Sequence, residues 1–190
     1  MKLSNLMNRF VGRRGVLLGK GPGYEKSKIQ NADGNGVVRV GINEAARGCH
    51  FGVALDRRDF EAGMPDGARP LVWVRARRWA GPGEVAFDAE HYHSAPWLLP
   101  AEALAARESL YVCEGSGVTA LHLLWFMGIR RVDLYGVDGG GGYAVSFHAA
   151  ALPADRDEVY ARQLNRIVSL GELLGMDLCF HLAAKAEVAI

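Results

Sequence analysis

Short apolar runs that end in glycine or in a polar turn residue recur along the chain, and they constrain the fold more than any other feature. Each run is short, rich in β-branched residues and bounded by turn formers, which is typical of strands buried on both faces of a sheet. The predicted strands are Val16–Gly19, Val37–Ile42, Phe51–Leu55, Pro70–Val74, Leu110–Cys113, Val132–Tyr135 and Asp177–His181.

Two predicted helices separate the last three of these strands. Ser116–Met127 starts with a residue that caps helices well and is apolar almost all round, so we expect it to be central. Residues 155–174 carry one apolar stripe, formed by Tyr160, Leu164, Ile167 and Leu174. The alternation of strand and helix predicts an α/β fold, a mostly parallel sheet flanked by helices. Residues 79–106 are interpreted as loop-rich.

Composition excludes several classes of partner. The chain has 190 residues, enough for one domain with a sizeable core, and a net charge of +1, so no global field favours nucleic acid. No apolar run is long enough to be a transmembrane segment. Three widely spaced cysteines fit neither a disulfide framework nor a paired-cysteine metal site, and reduced thiols predict a cytoplasmic protein. A homo-oligomer stays possible.

A glycine-rich loop follows the first predicted strand. Glycines permit close backbone approach, exposed N–H groups bind anions, and a lysine adds positive charge, so the loop is a candidate phosphate site. The alternative is a plain glycine turn between two elements. The candidate cofactor-binding residues here are Gly19, Lys20, Gly21, Pro22 and Gly23.

A second loop, between the strand at 110–113 and the central helix, gives the stronger signal. It combines a strand end, a tight turn and a helix start, where N–H groups and the helix dipole favour a phosphate. A helix-capping role would account for Ser116, but it accounts less well for the glycines on both sides of this serine. The candidate cofactor-binding residues are Gly115, Ser116, Gly117 and Thr119.

Polar residues after other strands complete the candidate site, because carboxyl ends of parallel strands line the ligand crevice. Asn43 is predicted to contact a ribose or base, and Asp56 a ribose hydroxyl or metal ion. Asp138 and His148 are the candidate catalytic residues, His148 as the base that takes a proton from a hydroxyl. Taken singly, each is also a common cap, turn former or structural residue. No residue is assigned to a metal site.

The stretches VLLGKGPG, VVRVGINEA, FGVALD and GSGVTALHLLWFMGIRRVDLYGVD resemble a group of small Rossmann-like transferases. One branch contains bacterial sialyltransferases that use CMP-sialic acid. Another contains a domain of unknown function shared with archaeal 6-hydroxymethylpterin diphosphokinases and motility-accessory glycosyltransferases. The resemblance covers residues 16–142 and implies a Rossmann-like fold. We expect one such domain over residues 15–190, preceded by a short helix or arm over residues 1–14, where apolar residues follow a helical spacing.

The resemblance leaves three functions open. The first is a glycosyltransferase of the sialyltransferase kind, with a nucleotide or CMP-sugar-like donor and an unknown acceptor. There Lys20 and Gly23 replace the usual Asn and Ser of the first loop, whereas Asn43, Ser116 and Gly117 match. The second is an ATP-dependent diphosphokinase, in which Mg²⁺ is held by carboxylates such as Asp56 and Asp138. The third is a nucleotide-binding module without catalysis.

Overall fold

The computed structural model describes residues 1–29, 36–55, 69–92, 98–140, 144, 147 and 156–182. Within these ranges the strands are β1 Arg14–Leu18, β2 Val37–Ile42, β3 Phe51–Ala54, β4 Val72–Ala76, β5 Val85–His91, β6 Ser109–Val112, β7 Arg131–Tyr135 and β8 Asp177–His181. The α-helices are α1 Tyr24–Ile29, α2 Ala101–Arg107, α3 Ser116–Phe126 and α4 Arg156–Leu173.

In the described ranges these strands form one eight-stranded sheet in the order β6-β5-β4-β3-β2-β1-β7-β8. Every neighbouring pair is parallel. From β1 to β6, each strand lies next to the previous one, on the same side of β1. Helix α3 then runs back across β3, β2 and β1, so that β7 lies on the other side of β1. This return makes the gap between β1 and β7 the topological switch point of the sheet.

The predicted fold class, an α/β fold with a parallel sheet flanked by helices, is confirmed. The interpretation of residues 79–106 as loop-rich is wrong for two segments, because β5 and α2 lie there. Four of the seven residues of β5 are polar or exposed, so its sequence lacks the apolar run that identified the other strands. No helix in the described ranges is long and apolar enough to cross a bilayer.

The N-terminal segment packs on the rest of the chain. Leu3 and Leu6 lie on a 3-10 turn and are fully buried in the main core. The Glu108 carboxylate accepts hydrogen bonds from the N–H and hydroxyl of Ser4, the latter at 2.6 Å. The N–H of Asn8 donates to the carbonyl of Phe126, at the end of α3, at 2.9 Å. The segment therefore covers the carboxyl end of the central helix.

Alternate residues of the central strands face different layers. Leu17 of β1 and Leu134 of β7 belong to the core shared with α3 and α4. Leu18 and Tyr135 point to the other face, where they pack with Tyr24 of α1. The central helix is buried almost all round, as the sequence predicted, because it lies between the sheet and α4.

A buried histidine in α3 makes stability depend on pH. His122 is fully buried between the rings of Tyr111 and Trp125, and its Nδ1 accepts the Tyr111 N–H at 2.8 Å. Burial lowers the pKa of His122 from 6.5 to about 3. Below pH 6.5 the unfolded chain therefore binds a proton that the folded protein does not. The free energy of unfolding is expected to fall by about 1.4 kcal/mol per pH unit between these values.

Urea unfolding between pH 7.5 and pH 4.5 measures this slope. In the His122→Asn variant, Oδ1 can replace the acceptor Nδ1 but no group titrates, so a lower stability with a flatter pH profile is expected. Burial also lowers the pKa of His50, and the comparison of the two proteins removes that shared contribution. Equal slopes in the two proteins would contradict the assignment.

Candidate functional site

A pocket of about 370 Å³ opens at the switch point, at the carboxyl ends of the strands. Its walls come from the loops after β1 and β7, the ends of β2 and β3, the start of α3, and one face of α4. Gly21 and Ser116, which lie almost a hundred positions apart in the sequence, both line it. The two glycine loops therefore share one cavity, in the place where open α/β sheets bind their ligands.

The loops after β1 and β7 touch backbone to backbone. The Gly19 N–H donates to the Tyr135 carbonyl and the Gly21 N–H to the Gly136 carbonyl, both at 2.8 Å. A Cβ on Gly19 would lie 2.3 Å from the Gly136 oxygen, and Gly136 itself has a φ of +68°. Glycine is required here because the main chains leave no room for a side chain.

The sequence predicts exposed N–H groups in the first loop, and the structure corrects this prediction. The N–H groups of Gly19 and Gly21 are already bonded, and the Gly23 N–H donates to Asp138 Oδ2 at 2.9 Å. Gly19, Lys20 and Gly21 line the pocket, whereas Pro22 and Gly23 are not part of its described wall. The end of β7 and the loop after it supply the acceptors of these N–H groups, so a phosphate cannot bind them without displacing Asp138 or the carbonyls.

Lys20 is the cation that the sequence assigned to a phosphate. Its Nζ lies 2.8 Å from the Glu44 carboxylate, and its side chain is 15% exposed. The pair joins the loop after β1 to the turn after β2, and a ligand phosphate would have to compete with Glu44 for the ammonium group.

The start of α3 fits the predicted anion site. Gly115 has a φ of +137°, which suits glycine, and no side chain caps the helix. The first N–H groups of a helix have no partner inside it, and Ser116 and Gly117 both line the pocket. Thr119 lies one turn further on, fully buried and outside the described wall, so its predicted contact with a cofactor is not supported by its position.

Asn43 stands across the pocket, directly after β2. Its φ of +52° is left-handed, a conformation that asparagine tolerates better than most residues. The side-chain Oδ1 is buried and has no hydrogen-bond partner among the residues that the structure describes. A buried acceptor without a donor is rare in native proteins, and in a pocket wall it suits a ligand that supplies the donor.

Helix α4 forms a wall that sequence reasoning did not assign to the site. Tyr160, Leu164 and Ile167 line the pocket, and Gln163 Nε2 donates to the Glu114 carbonyl beside the start of α3. These three residues belong to the apolar stripe that identified the helix. Ile167 is buried, whereas Tyr160 and Leu164 are only partly buried, and nothing local in the sequence distinguishes a face against a core from a face against a cavity.

Neither a family model nor a curated protein matches the chain. Among solved structures, the chain is similar to a MAf glycosyltransferase from Magnetospirillum magneticum AMB-1, at 16% identity and a TM-score of 0.46. The match covers 79% of this chain and 28% of that chain, so the chain spans less than a third of that protein's length. A likeness of this size establishes neither a family nor an activity.

Two candidate residues, Asp56 and His148, lie outside the described residues, and their roles stay predictions. The residue before His148 is placed: the Phe147 ring packs on the Tyr24 ring with centroids 4.6 Å apart. Ala144 donates its N–H to the Lys20 carbonyl at 2.8 Å. Ala144 therefore contacts the loop after β1, which forms one wall of the pocket, and Phe147 contacts α1.

The thiol nearest the second loop is not activated. Burial raises the pKa of Cys113, and Glu114 adds to the rise, while Arg166 opposes it. A thiol that stays protonated is a weak nucleophile. Cys113 also packs against the main hydrophobic core, so the structure gives it a packing role.

Proposed function

We propose that the pocket binds the nucleotide part of a nucleotide-sugar donor and that the protein is a glycosyltransferase-like enzyme. One observation carries the proposal: the unpartnered Oδ1 of Asn43 lies in the wall of the same cavity as the uncapped start of α3. A nucleotide has a hydrogen-bond donor on its sugar or base, which suits Asn43 Oδ1, and an anionic phosphate, which suits the start of α3.

The phosphate is proposed to bind at Ser116 and Gly117. Their N–H groups stand at the positive end of a helix of 11 residues, which stabilises a nearby anion. In glycosyl transfer the leaving nucleotide gains negative charge as the glycosidic bond breaks. Amides fixed at that position stabilise the transition state more than the bound donor, which is the condition for catalysis.

The nucleoside is proposed to lie between Asn43 and α4. Leu164 and Ile167 supply an apolar surface for one face of a base, and Tyr160 adds an aromatic side chain. Ligand pockets span about 300–1,000 Å³, and a volume of about 370 Å³ is at the small end. This size suits a mononucleotide carrying one sugar better than a dinucleotide.

His148 is proposed to take the proton of the acceptor hydroxyl. Its support is the anchorage of Phe147 and Ala144 beside the loop after β1. Asp138 is proposed to act by positioning, because its carboxylate holds the Gly23 N–H and so fixes the loop that carries Lys20. The resemblance to transferases of the CMP-sialic acid branch makes a CMP-sugar the first donor to test.

The experiment is a calorimetric titration of the full chain with CMP, CDP, UDP, GDP, ADP and ATP, each with Mg²⁺ and with EDTA. Binding of a pyrimidine nucleotide in EDTA is expected, followed by sugar transfer from the corresponding donor in a test with acceptor sugars. ATP binding that requires Mg²⁺ would instead support the diphosphokinase alternative. Tight binding with no product after hours would support a binding module.

Replacement of Asn43 by glycine tests the nucleoside contact. Glycine accepts the left-handed backbone of this position, so the free energy of unfolding should change little, while one hydrogen bond to the ligand is lost. A loss of about 1–1.5 kcal/mol corresponds to a roughly tenfold higher nucleotide Kd.

The matched control is Asn8→Gly, because Asn8 has a φ of +54° and is exposed on the N-terminal segment, outside the described pocket wall. It should leave the nucleotide Kd unchanged. An unchanged Kd in Asn43→Gly as well would remove Asn43 from the site.

A further inference from the structure

We propose that Asp133, Cys179 and His181 form a binding site for a zinc-like divalent cation on the outer strands of the sheet. The three donor atoms, a carboxylate oxygen, a thiol sulfur and an imidazole nitrogen, lie within 4.8 Å of one another. This site lies apart from the nucleotide pocket, whose wall includes none of the three residues, and it does not depend on the proposed function.

The parallel register of β7 and β8 produces the cluster. Asp133 is paired with Cys179 and Tyr135 with His181, and residues two apart on a strand point to the same face. This face is the one that α3 and α4 leave uncovered, because Leu134 and Phe180 point to the helices instead. The alternation of Cys179 and His181 was present in the sequence, but the third ligand comes from a strand that ends more than forty residues earlier.

The chemistry of the three donors selects the class of ion. Zinc binds thiolate sulfur, imidazole nitrogen and carboxylate oxygen, and three protein ligands with one open position is a common zinc arrangement. Mg²⁺ and Ca²⁺ prefer sites made of oxygen alone. A soft sulfur beside an imidazole therefore favours Zn²⁺ over the hard cations.

Neighbouring side chains hold the ligands in place. Arg14 binds the Asp133 carboxylate through both Nε and Nη2, the latter at 2.7 Å from Oδ1. The Tyr135 ring stacks on His181 with centroids 4.2 Å apart and an interplanar angle of 4°. Contacts that fix the orientation of ligands are the usual support of a metal site.

Arg14 leaves room for the ion on the carboxylate. A carboxylate has about four lone-pair positions, and Arg14 uses two of them. His181 Nε2 lies 2.9 Å from Asp133 Oδ1, and this contact is the one that a cation would replace by coordinating both groups. Asp133 is 3% exposed, while Cys179 is exposed, so an ion reaches the cluster from the Cys179 side.

The test is a Co²⁺ titration of the purified, chelator-treated full chain, followed by displacement with Zn²⁺. We expect one equivalent to bind, with a thiolate-to-cobalt charge-transfer band, and with loss of the band when Zn²⁺ is added. Cys179→Ser should abolish that band, and His181→Gln should weaken binding at least tenfold. Both positions are on the edge strand, and circular dichroism checks that the variants are folded.

The matched control is Cys113→Ser, which removes the other partly accessible thiol and should keep both the band and the stoichiometry. A wild-type titration without the band overturns the site. So does a band that survives in Cys179→Ser or disappears in Cys113→Ser, because the sulfur ligand would then be elsewhere.

Discussion

Ser116→Asp is expected to weaken nucleotide binding at least a hundredfold and to leave the protein as stable as before, or slightly more stable. Ser116 is the first residue of α3, and a carboxylate there interacts favourably with the helix dipole, by about 0.3–1 kcal/mol. The same carboxylate would stand where the ligand phosphate is proposed to bind. Like charges about 4 Å apart repel by roughly 1 kcal/mol in water and about 4 kcal/mol at a protein surface.

A repulsion in this range, together with the loss of the amide contacts, predicts a nucleotide Kd at least a hundredfold higher. Ser116→Asn is the matched control, because it is similar in size to aspartate but neutral, and its effect on Kd should stay within about tenfold. Calorimetric titration and thermal unfolding of the two variants give both quantities. If the aspartate variant binds the nucleotide as the wild type does, the phosphate does not lie at the start of α3.

The start of α3 could be predicted from the sequence because its signal is local. The strand end, the glycine at φ +137° and the apolar helix follow one another within a few residues, so a short window contains the whole feature. The edge of the sheet at which it lies follows from the parallel topology, which the alternation of strands and helices also predicted.

The first loop shows what a local signal cannot contain. Its glycines do mark a close approach, and what approaches them is the main chain of the β7 loop. The partner of the Gly23 N–H, Asp138, is 115 positions away in the sequence. A sequence pattern indicates that an amide N–H is available at a turn, but only the folded topology determines which group accepts its hydrogen bond.

Gly19→Ala is expected to lower the free energy of unfolding strongly, because Gly19 lies where the loops after β1 and β7 touch. A Cβ at this position would lie 2.3 Å from the Gly136 carbonyl oxygen and 3.1 Å from the Val137 side chain. The nearest atom belongs to the backbone, so relief requires β1 and β7 to separate at the switch point. We expect a loss of about 3 kcal/mol or more, as for severe overpacking, and a fall in Tm of about 6–12 °C.

Gly81→Ala is the matched control, because the added Cβ would lie 3.8 Å from its nearest neighbour, the Glu84 carboxylate. Neither glycine has a positive φ, so the pair separates the contact at the switch point from the general effect of replacing glycine by alanine. Chemical denaturation of both variants measures the difference. Equal stabilities would mean that the loops after β1 and β7 can separate at little cost, and a rigid pocket wall could then not be built from them.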